Sequence, residues 1–131
     1  MSVRCLIVDD NDSFLEAARA LLDREGVTVA GVAGTSAEAL RLVAALRPDV
    51  VLVDIWLGRE SGLDLARRLA TCEHDRRPAV VLISTHSQDD VADLIAGSPA
   101  AGFLPKAELS ANAIREIVDA GDGTASARPG R

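Results

Sequence analysis

The stretch Val50-Val51-Leu52-Val53-Asp54 runs four apolar, mostly β-branched residues into a single carboxylate. A segment apolar at every position cannot alternate between a core face and a wet face. It reads as a strand covered on both sides of a sheet. Such a strand offers an Asp no polar surroundings except beyond its end. Asp54 is therefore expected at the lip of the sheet, held on rigid backbone and open to solvent or a ligand. An acid fixed in that way is either a charge site or a nucleophile.

Upstream of this stretch, Val3 to Val8 forms a first strand that runs directly into Asp9-Asp10. A helical pattern follows from about Asp12, with Phe14, Ala17, Ala18, Leu21 and Leu22 on one face, and Gly26 is its stop. Val27 to Val32 is a short second strand. Thr35 to Glu38 is a capping box opening a second helix, whose apolar face is Ala39, Leu40, Val43 and Leu46 and whose end is set by Pro48.

Downstream, Gly58 to Glu60 reads as a loop, and Ser61 to Asp64 repeats the capping pattern before a third helix with Leu65, Ala66 and Leu69 inward. Thr71 to Pro78 is polar and loop-like. Ala79 to Ile83 is a fourth strand, apolar throughout and ending at Ser84. Ser87 to Asp90 caps a fourth helix carrying Val91, Leu94 and Ile95, with Gly97 after it. Ala100 to Leu104 is a short fifth strand leading to Pro105-Lys106. A last helix runs from about Ser110 to Ala120 and is closed by Gly121. Residues 122–131 are Gly, Ser, Ala, Pro and Arg without apolar periodicity, a flexible tail or the start of a linker.

Five strands alternating with five helices define an α/β fold with a parallel sheet and right-handed crossovers. In doubly wound sheets the ligand site lies beyond the carboxyl ends of the strands. The residues just past those ends are Asp9 and Asp10, Asp54, Ser84 with Thr85, and Lys106. Carboxylates gathered there repel one another unless protons or a cation compensate. An all-oxygen set suits a hard divalent ion, and a shallow site that keeps several waters suits Mg²⁺. The same parts fit phosphoryl transfer, with a carboxylate as nucleophile and a cation, a lysine and a hydroxyl for the phosphoryl oxygens. Many other α/β enzymes also carry acids at that edge.

The composition narrows the classes. The 131 residues make one domain, and 48% hydrophobic content supplies a full core. Phe14, Trp56 and Phe103 are the only aromatics, too few for base-stacking surfaces. A formal net charge of −6 argues against direct nucleic-acid binding by this segment. With no apolar run long enough for a bilayer and no basic-then-apolar leader, a cytoplasmic protein without membrane contact is expected. Cys5 in an apolar stretch and Cys72 in a polar one make neither a disulfide framework nor a zinc site.

The ordered set of Asp9-Asp10, Asp54 with Gly62 eight residues on, Ser84, and Phe103-Leu104-Pro105-Lys106 resembles the receiver domain of two-component response regulators. The resemblance covers about residues 3 to 120, so residues 1–121 are expected to be the receiver domain and 122–131 the tail. It implies a flavodoxin-like, doubly wound five-stranded parallel sheet of order 2-1-3-4-5 with five helices. It implies that Asp54 accepts a phosphoryl group from a sensor histidine kinase or phosphotransfer protein. Asp10, Asp54 and the backbone carbonyl of Trp56 would bind Mg²⁺ directly, with Asp9 assisting. Lys106 and Ser84 would contact the phosphoryl oxygens, and Ser84 and Phe103 would be the switch pair; core packing alone is a rival role for Phe103. Trp56, Thr85 and His86 flank the site, and Trp56 and His86 stand where the family tunes phosphoryl lifetime. A large Trp there implies shielding from water and slow self-dephosphorylation.

The resemblance further implies a signalling switch that is not an enzyme beyond its own phosphorylation and dephosphorylation. The face of the fourth helix, fifth strand and fifth helix would control an output partner or output domain, and a homodimer through it is one arrangement. The chain departs from the family's usual pattern at Gly58 and Ala107, where Pro is common, and at Thr85, where a small residue is common. Three alternatives stand beside this reading. A degenerate receiver would be a phosphorylation-independent interaction module. An Asp-nucleophile phosphohydrolase would usually have a second acid where Trp56 stands. A flavodoxin-like cofactor carrier would need a phosphate loop where Asp9 and Asp10 stand.

Overall fold

A computed structural model of the protein describes residues 3–71 and 78–126, with the side chains of 88 and 121–126 undescribed. The Thr71 to Pro78 loop with Cys72, and the end of the tail beyond 126, therefore lie largely outside the described residues. The chain alternates β1 (Arg4–Val8), α1 (Asp12–Arg24), β2 (Thr28–Ala33), α2 (Ser36–Leu46) and β3 (Val50–Asp54). Two short strands, β4 (Trp56–Leu57) and β5 (Glu60–Ser61), precede α3 (Gly62–Ala70). Then come β6 (Ala79–Ser84), α4 (Gln88–Ala96), β7 (Gly102–Pro105), a 3₁₀ turn (Lys106–Glu108) and α5 (Ala111–Ser126). The main sheet has the order β2-β1-β3-β6-β7, every pair parallel. Counting only its own strands, that is the expected 2-1-3-4-5.

Strand β3 is buried at all five positions, as an apolar run in a central strand requires. Its side chains alternate between two separate cores. Val51 and Val53 join Leu6, Val8 and Leu82 under α2, α3 and α4, where Ala39, Val43, Leu65, Ala66, Leu69 and Val91 pack. Val50 and Leu52 join Cys5, Ile7, Val81 and Ile83 under α1 and α5, where Leu15, Ala18, Leu22 and Ile114 pack. Period-two alternation in the strands and helices on both sides thus produce a three-layer molecule.

The helix ends obey local chemistry. Gly26 at φ +92 ends α1: Val27 N–H donates to Leu22 O at 2.9 Å and Gly26 N–H to Asp23 O at 3.2 Å. This is the paired bonding of a glycine-terminated helix, with Leu22 and Val27 together in one core. Thr35, Ser61 and Ser87 cap α2, α3 and α4 as their spacing predicts. In α2 the Glu38 side chain reaches back to Gly34 N–H at 2.9 Å, one residue earlier than a standard box.

Four expectations change. The buried face of α1 is Leu15, Ala18 and Leu22, whereas Ala17 is exposed and Phe14 is half-buried. The helix is rotated about one position from the face assigned by counting, because the large Leu15 gains more from burial than Ala17. Residues 56–61 form a two-stranded hairpin rather than a plain loop, with Leu57 paired to Glu60 across the Gly58-Arg59 turn. Gly58 has φ +58, the value that a Gly-first two-residue turn requires. Helix α5 passes through Gly121 and continues to Ser126. A glycine stops a helix by turning left-handed, and Gly121 is not among the positive-φ residues. Asp54 is 6% exposed and so lies under cover at the strand end.

Gly62, the first residue of α3, donates its N–H to Ile55 O at 2.9 Å. A Cβ there would stand 1.9 Å from the Asp54 carbonyl oxygen. Only a missing side chain lets α3 start against the end of β3. Gly62→Ala is expected to lower unfolding stability by about 3 kcal/mol through overpacking against backbone, read as a lower urea midpoint at unchanged slope.

Candidate functional site

The site is built from strand ends. Asp9 follows β1, Asp54 ends β3 and Ser84 ends β6, and each folds its side chain back onto the backbone two residues on. Asp9 Oδ1 accepts from Asn11 N–H at 2.9 Å, Asp54 Oδ1 from Trp56 N–H at 3.0 Å, and Ser84 Oγ from His86 N–H at 3.0 Å. These short-range bonds satisfy backbone donors where the sheet ladder stops, and they fix the rotamers of three buried polar residues.

Asp9, Asp10 and Asp54 come together. One oxygen from each lies within 4.8 Å of the others, with Asp9 and Asp54 buried and Asp10 exposed. Lys106 closes the group from the loop after β7. Its Nζ lies 2.6 Å from Asp9 Oδ2 and 3.1 Å from Asp54 Oδ2. Asp9 Oδ2 is fully enclosed and has no partner among the described residues except this ammonium. The Lys106 ammonium also sits 4.4 Å from the centre of the Phe14 ring, a cation–π contact. No peptide bond among the described residues is cis, so the Lys106–Ala107 bond is trans. The two carboxylates and the Phe14 ring direct the lysine.

Ser84 lies at the same end of the sheet, but its hydroxyl is engaged by His86, 3.2 Å from Nδ1, rather than by Asp54 or Lys106. Trp56 opens the hairpin with its side chain 52% exposed. Thr85 and His86 are exposed on the following loop. Phe103 is buried among the residues under α4. Gly58 passes close to the acids, since a Cβ there would be 3.1 Å from Asp10 Oδ2.

The electrostatics follow from burial. Burial pushes the Asp54 carboxyl above its ordinary value and the charge on Asp9 adds to the rise, while the Trp56 N–H and Lys106 pull against it. Burial alone would lower Lys106, but the hydrogen bonds and charges of Asp9 and Asp54 outweigh it and hold the ammonium above its usual value. The signs oppose. A raised carboxyl burdens folding increasingly as pH climbs from the ordinary value through the raised one. A raised lysine stabilises fully below its ordinary value and loses that only as pH rises through the raised one. The site is therefore three acids gathered under one cation. Its all-oxygen donor set and its excess negative charge suit a hard divalent ion.

A model of the response regulator receiver domain matches residues 5–119. This chain belongs to that family. The receiver is 37% identical over 108 residues to response regulator MprA of Mycobacterium ulcerans, covering 81% of this chain and 44% of that protein. It is 32% identical over 119 residues to response regulator GacA of Pseudomonas aeruginosa, covering 88% of this chain and 55% of that protein. It thus spans about half the length of these relatives. Among solved structures, the receiver domain of the putative response regulator NarL from Mycobacterium tuberculosis superposes with a TM-score of 0.72 at 31% identity, over 97% of this chain and 98% of that one. A LuxR-family response regulator from Aurantimonas gives a TM-score of 0.79 at 26% identity, over 92% of this chain and 87% of that one. Receivers are signalling switches of two-component systems rather than metabolic enzymes. Among the described residues no helix is long and apolar enough to cross a membrane.

Sequence reading missed Phe14 as a site residue. Its position on an apolar helix face accounts for it without any site, and only the fold brings Lys106 onto its ring. If the three acids repel as their spacing requires, neutralising the exposed one relieves the cluster. Asp10→Asn is expected to raise the melting temperature in EDTA by about 2 °C and to abolish any further rise on adding Mg²⁺. Thermal unfolding with and without the ion checks both.

Proposed function

We propose that this receiver is switched by a phosphoryl group placed on Asp54. The phosphohistidine of a sensor histidine kinase or phosphotransfer protein is the donor. The Asp54 carboxylate forms the new O–P bond, the P–N bond breaks, and its electrons return to the departing imidazole. What supports this reading above all is the Lys106 ammonium spanning Asp9 and Asp54 beside a third acid, Asp10.

Each residue then has a role. Trp56 N–H holds one Asp54 oxygen and so orients the carboxylate before the donor arrives. Asp9, Asp10, Asp54 and the backbone carbonyl of Trp56 would hold Mg²⁺, the cofactor assigned here. When bound, that ion supplies positive charge that neutralises the phosphoryl oxygens. Lys106 adds a fixed charge already aimed at Asp54, and Phe14 keeps it there. Ser84 donates its hydroxyl to a phosphoryl oxygen once it turns from His86. Phe103, beside α4, carries that turn to the face of α4, β7 and α5. That face controls an output partner or output domain, and a homodimer through it is one form of output. Direct nucleic-acid contact is not assigned to the receiver domain, residues 1–121; residues 122–131, of which 122–126 continue α5, are assigned as its tail. The protein acts in the cytoplasm.

Intact-mass measurement after incubation with acetyl phosphate and Mg²⁺ tests the acceptor. Wild type is expected to gain one phosphoryl group and Asp54→Asn none. If wild type stays unmodified, the domain is a phosphorylation-independent interaction module instead. Slow self-dephosphorylation is the second expectation, with Trp56 shielding the acyl phosphate. Phosphorylated wild type should persist far longer than seconds after the donor is removed, and Trp56→Ala should shorten that lifetime several-fold on a phosphate-affinity gel.

A further inference from the structure

The Ser84 hydroxyl has one proton and two lone pairs to place. Ser84 is 0% exposed, so bulk water cannot take them. Among the described residues its partners are both on His86: the backbone N–H at 3.0 Å and the ring Nδ1 at 3.2 Å. The amide is a donor and occupies a lone pair of Oγ. Nδ1 is the one acceptor in reach of the hydroxyl proton among the described residues, so the contact is assigned as Ser84 O–H donating to Nδ1, with the ring proton on Nε2. The one hydrogen bond that Ser84 can donate is therefore already given to His86.

We propose that His86 is a positioning residue that latches the switch off. It holds the Ser84 hydroxyl away from Asp54, and the latch must open before that hydroxyl can donate to a phosphoryl oxygen. The inference rests on the reading of Ser84 given under the proposed function. The latch has two halves of different origin. The amide half is backbone and is present whatever residue stands at 86. The imidazole half is specific to His86, which lies exposed on its loop. An ordinary neutral hydrogen bond gained or lost corresponds to about a two- to tenfold change in an equilibrium constant. Phosphorylation of the wild-type protein carries that cost, and removing the imidazole removes it.

The test uses BeF₃⁻ with saturating Mg²⁺, because this phosphoryl mimic is not hydrolysed and any role of His86 in dephosphorylation drops out. Calorimetric titration gives the dissociation constant for wild type, His86→Ala, His86→Asn, Ser84→Ala and the double variant. His86→Ala is expected to bind about two- to tenfold tighter. His86→Asn, whose amide oxygen can take the place of Nδ1, is expected to restore wild-type binding. In the Ser84→Ala background the His86→Ala gain should vanish. An unchanged or weaker His86→Ala, or a gain that survives without Ser84, overturns the latch. Two other results bear on the parent reading instead. If the double variant binds as tightly as His86→Ala alone, Ser84 does not contact the phosphoryl group and the latch falls with that role. If wild type binds no BeF₃⁻, the phosphorylation reading itself fails.

Discussion

Lys106 stands 2.6 Å from Asp9 and 3.1 Å from Asp54, at the point where three parallel strands stop. Remove that ammonium and Asp9 Oδ2 becomes a buried carboxylate oxygen with no described partner. A charge in that state is far more costly than the salt bridge is favourable. The acids, in turn, occupy their places only because β1 and β3 are covered on both faces and let polar side chains emerge solely at their ends. The two-sided burial of the sheet and the single cation at its edge are thus one constraint. Hydrophobic layers force the polar groups outward along the strand axis, and the lysine makes their crowding tolerable.

Local chemistry refines what the layers impose. Asp9, Asp54 and Ser84 each accept an N–H from two residues ahead. The same small turn therefore ends three different strands. It keeps three side chains from wandering in the loops that follow, at no cost in long-range contacts. Gly62 adds a steric counterpart, since its lack of a side chain brings α3 directly against the Asp54 backbone. The nucleophile proposed here is consequently fixed from above by hydrogen bonds and from behind by backbone.

Much of this was legible in the residues alone. Unbroken apolar runs such as Val50 to Val53 and Ala79 to Ile83 announce buried strands, and the residue after each run announces the site. Caps at Thr35, Ser61 and Ser87 follow from side chains that act within three residues. What escaped depends on neighbours distant in the chain or on segments too short for a period to show. Trp56–Leu57 and Glu60–Ser61 are two-residue strands, below any alternation a reader could count. Gly121 offers a stop that the backbone does not take, because a glycine permits a left-handed turn without demanding one. The burial of Asp54 could not be read, since what covers it comes from the loops after β1, β3 and β7. The Ser84–His86 pairing is the exception. Its spacing of two was visible, and a hydroxyl two residues before a histidine is a local pattern worth weighing.

Trp56 has a consequence outside chemistry and stability. It is the only tryptophan, and the chain contains no tyrosine. Trp56 is about half exposed, at 52%, while its own amide is tied to the Asp54 carboxylate. Nearly all ultraviolet emission from this protein therefore originates two residues along the chain from the reacting group. The molecule carries its own optical probe, and events at the acid cluster can be followed by light without attaching a dye.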